Sequence, residues 1–346
     1  MRAISLFCGA GGMDVGVQNA GFKVVAANEL DPYACRTYKA NHKRTLLYEG
    51  GLDENLNALS NYSGIDLLIG GPPCQGFSVA GRMDLSDPRS RLVFSYCDAL
   101  DLVRPRAFIM ENVKALGAFQ KFRSIREEIF RRMSSLGYTI SMVILNARDF
   151  GVPQSRERMF IIGSLTKTRI VTAKSFEGRK KRAVCVREAI MHLGPAGCPT
   201  NPRTTKAKIT LAKSPILRKS PYAGMLFNGQ GRPLNPDTWS STLPASMGGN
   251  RTPIVDEDHL YLGMPSWVEG LHQSLLDGRG IREYQEVPSR LRRLTIDEAI
   301  ILQTFPENYE FIGPKSKIFT QIGNAVPCKL AQVVTEAVKQ ELLDLA

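Results

Sequence analysis

The chain has 346 residues, 43% of them apolar, so it can bury a sizeable core and is no peptide-sized module. No apolar run approaches the ~18 residues of a membrane span, and "MRAISLFCGAGG" is a strand entering a glycine turn, unlike a signal peptide. The formal net charge is +12, and residues 167 to 220, with 14 Lys and Arg against Glu177 and Glu188, account for all of that excess. Localised charge of this kind points to a polyanionic partner, with no membrane.

In chain order, short apolar strands are predicted at 3–7, 23–28, 66–70, 107–112, 140–146 and 158–164, with helical spacing over 91–103 and 122–137 between them. This alternation predicts an α/β fold, a doubly wound parallel sheet. Residues 165–290 differ: they are rich in Pro, Gly, Ser and Thr and read as an irregular β-containing domain. Helical periodicity returns from "RRLTIDEAIILQTFP" (292–306) to the end. The seven cysteines are odd in number without a CxxC pair and read as reduced thiols of a cytoplasmic protein. The four histidines show no metal-ligand spacing.

The chemistry-bearing residues fall at strand ends, where open α/β sheets bind ligands. "FCGAGGMDVG" (7–16) is a glycine turn that lets a nucleotide-like ligand approach the backbone. It fails the dinucleotide fingerprint, because Asp14 stands at the third glycine position. Glu29, just past the second strand, can accept ribose hydroxyls. "GGPPCQGFS" (70–78) holds Cys74 behind two prolines that lock φ and remove donors, so the thiol is positioned in advance. Glu111 in "MENV" ends another parallel strand on the same rim. A carboxylic acid beside a thiol, with no histidine at a strand end, suits an electrophile that must be protonated as it is attacked. Arg156 and Arg158, two apart at the entry to a strand, can face one side toward a developing anion or a phosphate.

Taken together, "SLFCGAGGMDVG", "NELD", "GGPPCQGFS", "DPRSRLVF", "MENV", "DFGVPQSRERMFIIG", "RRLTIDEAIILQTFP" and "QIGNAVP" resemble the cytosine-C5 DNA methyltransferase family, in family order, over residues 1–165 and 290–330. The resemblance is to the bacterial, stand-alone type. It implies a Rossmann-like, S-adenosylmethionine-dependent catalytic domain over 1–166, a smaller target recognition domain over 167–290, and a return segment, 291–346, that completes the catalytic domain. Cys74, Glu111, Arg156 and Arg158 would be catalytic. Phe7, Gly9, Gly11, Gly12, Glu29, Leu30, Asp53 and Asn324 would bind S-adenosylmethionine. Leu30 departs from the family's usual aromatic and would offer adenine an aliphatic wall. Gln75, Ser78, Lys180, Lys181, Arg182, Arg232, Thr242, Gly248 and Gly249 would meet DNA, the last three within "STLPASMGG" (241–249).

The implied reaction is methyl transfer to C5 of a cytosine flipped out of double-stranded DNA, through a Cys74 adduct at C6. A tRNA cytosine methyltransferase and a non-catalytic DNA-binding homologue are the alternatives. Against the first, the Cys-Phe-Thr tripeptide of the tRNA branch is absent; against the second, Cys74, Glu111, Arg156 and Arg158 are intact. A monomer is expected, with a restriction endonuclease sharing its site as a candidate partner.

Overall fold

The computed structural model describes residues 1–73, 88–165, 169–279 and 286–343. Seven strands form one sheet: β1 (Arg2–Leu6), β2 (Lys23–Glu29), β3 (Leu46–Glu49), β4 (Leu67–Gly70), β5 (Ala107–Val113), β6 (Thr139–Asn146) and β7 (Glu157–Ser164), in the order β3-β2-β1-β4-β5-β7-β6. The first five positions pair in parallel, and β7 runs antiparallel to both β5 and β6. Leu67, Leu68 and Ile69 are wholly buried, as parallel strands covered on both faces require. The intervening helices are α1 (Gly12–Asn19), α2 (Pro32–Asn41), α3 (Leu52–Leu59), α4 (Pro88–Val103), α5 (Lys114–Ala118) and α6 (Arg123–Ser135).

The chain builds outward from β1 to β2 and β3, then returns to place β4 on the other side of β1. The order therefore reverses between β1 and β4, and the crevice at such a switch point is where open sheets bind ligands. The glycine turn follows β1 and the Pro72-Pro73 segment follows β4, so the reversal brings these two motifs together. Strand β3 was not among the predicted strands. It is a four-residue edge strand, "LLYE", whose short apolar run includes no fully buried residue, unlike that of a strand covered on both faces.

The chain divides into two compact units. The first comprises Met1–Gly151, Arg156–Arg182 and Ala325–Ala346; the second comprises Val152–Ser155 and Ala183–Asn324. These bounds differ from the composition boundaries at 166/167 and 290/291. Residues 169–182 stay with the first unit because Val171 and Phe176 are buried there, with the Phe176 ring edge-on to Phe150, and because Lys181 N donates to Asp149 O at 2.9 Å. In the first unit the last helix packs on α1 so closely that a Cβ on Gly16 would lie 2.5 Å from Cys328 O.

The second unit holds α7 (Val186–Ile190), β8 (Leu211–Ile216), β9 (Met225–Phe227), β10 (Ile254–Asp256), α8 (Glu257–Leu262), α9 (Trp267–Leu276), β11 (Leu291–Arg293), α10 (Ile296–Leu302) and α11 (Lys315–Asn324). The chain then enters α12 (Cys328–Val338), the helix that packs on α1. Two short antiparallel pairs, β8-β9 and β10-β11, are the sheets of this unit among the described residues, and a small apolar core includes Leu226, Phe227, Ile254 and Leu271. A polar cluster supplements that core: Arg292 Nη1 and Nη2 reach the buried Glu298 carboxylate at 2.9 and 2.6 Å, and Arg292 Nε reaches Glu257 Oε1 at 2.6 Å. Residues 291–324 belong to this unit because β11 pairs with β10 and because Asn201 donates to Glu298 at 3.2 Å. No helix among the described residues is long and apolar enough to cross a membrane.

Candidate active site

The turn after β1 is left-handed at three positions: Phe7 (φ 53°), Gly9 (φ 56°) and Gly11 (φ 86°). Gly11 is the N-cap of α1 and has no side chain to cap it, so the first helical N–H groups, from Gly12 on, follow directly on the turn. A Cβ placed on Gly9 would meet nothing within 4 Å, so glycine there serves the backbone angle and the turn keeps an open face. At the end of β2, Glu29 Oε2 accepts from Gly9 N at 2.7 Å and Oε1 accepts from Asp31 N at 2.8 Å. The carboxylate thus pins the glycine turn and keeps further lone pairs for a ligand's hydroxyls. Burial pushes its carboxyl up from the ordinary range. Leu30, beside it, is 67% exposed. Asp53 lies exposed in the first turn of α3, while Asn324 ends α11 in the second unit, also exposed.

Asp14 stood out in the sequence only as the residue that broke a fingerprint. In the structure it is wholly buried beneath the turn, accepting from Ser5 Oγ at 3.0 Å and Tyr38 Oη at 2.7 Å. Burial pushes its carboxyl up to about 6. The signal that could have found it is an acid in the third position of a helix that is otherwise apolar, "GMDVGV".

The second group of residues lies past β4 and β5. Cys74, Gln75 and Ser78 fall outside the described residues. The backbone that leads to them is anchored: Asn112 Nδ2 donates to Pro72 O at 3.1 Å, and a Cβ on Gly71 would stand 3.0 Å from Glu111 Oε2. The chain therefore passes against the Glu111 carboxylate three residues before Cys74. On the antiparallel neighbour β7, Arg158 Nε lies 2.9 Å from Glu111 Oε1, with both side chains largely buried. Arg156 is 2% exposed, and its backbone N donates to Asn146 Oδ1 at 3.1 Å. Burial pushes the Glu111 carboxyl up against the pull of Arg158 and Arg156, while burial and the Arg158 charge push the Arg156 guanidinium down. The arrangement can hold a proton on an acid and keep fixed cations beside it.

The family description "C-5 cytosine-specific DNA methylase" matches residues 1–340. The chain belongs to that family. The methylase is 30% identical to the Type II methyltransferase M.NgoPII of Neisseria gonorrhoeae, over 99% of this chain and 96% of the relative. It is 32% identical to the Type II methyltransferase M1.HphI of Haemophilus parahaemolyticus, over 97% of this chain and 86% of the relative. Among solved structures, a putative DNA modification methyltransferase encoded within an E. coli prophage superposes with a TM-score of 0.69 at 23% identity, covering 99% of each chain, a likeness of fold. The methylase is thus an enzyme that takes its methyl group from S-adenosylmethionine and delivers it to C5 of cytosine in DNA. The open face of Gly9, the Glu29 carboxylate and the exposed Leu30 fit a nucleoside-bearing co-substrate.

In its second unit the methylase has a cleft of about 880 Å³, lined by Ser155, Gln230, Arg232, Trp239, Thr242 and Arg251 among others. Two of the residues expected to meet DNA, Arg232 and Thr242, lie in this lining. Gly248 (φ 121°) and Gly249 (φ 59°) do not line it; they form a turn in which Gly248 N donates to Thr252 Oγ1 at 3.1 Å. Lys180, Lys181 and Arg182 are exposed, but in the first unit, and Lys180 Nζ pairs with Glu177 at 2.8 Å.

Proposed function

We propose that the methylase acts on one cytosine of a specific double-stranded DNA sequence, flipped out of the duplex, and activates it by a covalent bond from Cys74 Sγ to C6. Cytosine C5 is too weak a carbon nucleophile to take a methyl group unaided. Addition of the Cys74 thiolate at C6 makes the ring electron-rich, and Glu111 delivers or shares a proton at N3 as the thiolate attacks. Arg158 holds the base O2, and Arg156 supports the loop or the base. Bound at the glycine turn, S-adenosylmethionine would supply the electrophilic methyl group that the electron-rich C5 takes up, with S-adenosylhomocysteine as the leaving group. Loss of the C5 proton to solvent then re-forms the C5–C6 double bond as the C6–Sγ bond breaks, which returns the Cys74 thiolate, and the N3 proton returns to Glu111. The target is unreachable inside a stacked duplex, hence the flip.

The observation that carries this reading is the Glu111–Arg158 pair at 2.9 Å, held against the Gly71 backbone three residues before Cys74. The cleft of the second unit, with polar side chains set among prolines, supports a role in reading base edges, and the exposed Lys180, Lys181 and Arg182 support contact with phosphates. The relatives' Type II names support a place in a restriction-modification system, with an endonuclease that cuts the same sequence.

The test has two steps. Bisulfite sequencing of plasmid DNA from cells expressing the methylase identifies the modified sequence. A duplex of that sequence with 5-fluorocytosine at the target should then trap a denaturation-resistant complex in the presence of S-adenosylmethionine, because fluorine cannot leave as the proton does. A trapped complex with Cys74→Ala protein would sink the assignment.

A further inference from the structure

Val152–Ser155 pack in the second unit, although Gly151 before them and Arg156 after them belong to the first. We infer that Gln154 is a positioning residue, which fixes the chain leading into Arg156 and Arg158 to the lining of the second unit's cleft.

The Gln154 side chain is wholly buried and used at both ends. Its Nε2 donates to Gln303 Oε1 at 2.6 Å and to Leu302 O at 3.4 Å, and its Oε1 accepts from Leu243 N at 3.1 Å. Gln303 passes the restraint on, donating from Nε2 to Ile322 O at 2.8 Å. The backbone on either side is stitched to the same wall. Ser240 N donates to Pro153 O at 3.0 Å, Ser155 N donates to Ser240 O at 2.8 Å, and Thr242 Oγ1 donates to Ser155 O at 2.8 Å. Ser155, Ser240 and Thr242 all line the cleft.

Cleft wall and connecting segment are therefore one hydrogen-bonded piece, and its next residue is Arg156. Two residues of chain span at most about 7 Å, so a shift at Gln154 has little slack in which to be absorbed before it reaches Arg156 N on Asn146 Oδ1 and, two residues on, the guanidinium that meets Glu111. Deleting the carboxamide would leave Leu243 N and Gln303 Oε1 buried without this partner, which loosens the segment rather than simply emptying a space.

The inference rests on the proposed roles of Arg156 and Arg158, so Arg158→Ala serves as the control. With the full chain and a duplex of the sequence found by bisulfite sequencing, four quantities are measured: melting temperature, equilibrium affinity for duplex, affinity for S-adenosylmethionine, and the single-turnover methyl-transfer rate at saturation. Gln154→Ala should slow transfer by about 10-fold or more, as expected of a misplaced reacting group, while both affinities stay within a factor of about 3. Thr242→Val, which removes one exposed hydroxyl bond to the segment, should slow transfer in the same sense by a smaller factor, and Thr242→Ser should restore it. An unchanged rate in Gln154→Ala, or a loss no larger than its loss of duplex affinity or of folded protein, overturns the inference. If Gln154→Ala does not fold, the Thr242 pair decides: equal rates for Val and Ser overturn it. Full activity in Arg158→Ala would instead refute the active-site reading itself.

Discussion

Arg158 Nε sits 2.9 Å from Glu111 Oε1, on adjacent antiparallel strands of a sheet that is otherwise mainly parallel. The pair sets a buried acid against a fixed cation at the strand ends, against the Gly71 backbone three residues before Cys74. Its opposing influences, burial raising the acid and Arg158 lowering it, suit a group that must hold a proton and release it within one turnover.

Replacing that acid should separate chemistry from binding. Glu111→Gln keeps shape and a hydrogen-bond donor but cannot cycle a proton. Single-turnover transfer should fall by about 100-fold or more, with affinity for S-adenosylmethionine preserved in equilibrium titration. A parallel loss of co-substrate affinity would mark Glu111 as a structural group.

The buried pair of Asp14 and His42, joined through Tyr38, gives a pH signature. Asp14 is raised from its ordinary 3.8 to about 6, so the folded state keeps a proton that the unfolded chain releases, and this stabilisation is full below about pH 4 and lost as pH rises through 6. His42, stacked on Tyr38, is lowered from 6.5 to about 4 by burial, so its stabilisation is full above 6.5 and lost as pH falls through 4. The two slopes oppose one another, each on the order of 3 kcal/mol over the window. Asp14→Asn removes only the first. Urea titrations from pH 4 to 7 should show the variant gaining stability relative to wild type as pH rises; parallel curves would refute the assignment.

Gly16 is where α1 meets the backbone of α12. A Cβ there would fall 2.5 Å from both Cys328 O and Gln332 N, atoms that cannot rotate away. Gly16→Ala should cost roughly 1 to 3 kcal/mol and displace the helix whose first turn follows Gly11, so affinity for S-adenosylmethionine should fall together with thermal stability. Loss of stability alone, with co-substrate titration unchanged, would show that the glycine turn is insulated from the helix packing.

Affinity and sequence choice should divide between the two units. Lys180, Lys181 and Arg182 are exposed, but Glu177 already pairs with Lys180, so neutralising all three should lower the salt slope of DNA binding by less than about 3. The loss should be uniform across sequences. Arg232→Ala, in the cleft lining, should instead relax site choice by about 1 to 3 kcal/mol per affected base pair. Affinity against salt for matched and scrambled duplexes checks both. The division fails if the lysine set changes preference and Arg232→Ala weakens every duplex equally.

What the sequence determined by itself is whatever a single local requirement imposes. Strands covered on both faces need an apolar run, so 66–70 and 107–112, with 67–69 and 107–110 wholly buried, are legible, and a turn with left-handed φ at residues 9 and 11 is legible because glycine adopts it without strain. Edge strand β3, exposed along part of each face, carries no such mark. Only the tertiary structure decided which charged groups meet. Arg158 reaches Glu111 because β7 runs antiparallel beside β5, and Asp14 finds Ser5 and Tyr38 on a strand and on another helix. The second unit was least legible, since contacts such as Arg292–Glu298 and Gln154–Gln303 help hold it together. Hydrogen bonds between distant polar side chains leave no periodic trace along a chain, whereas apolar burial does.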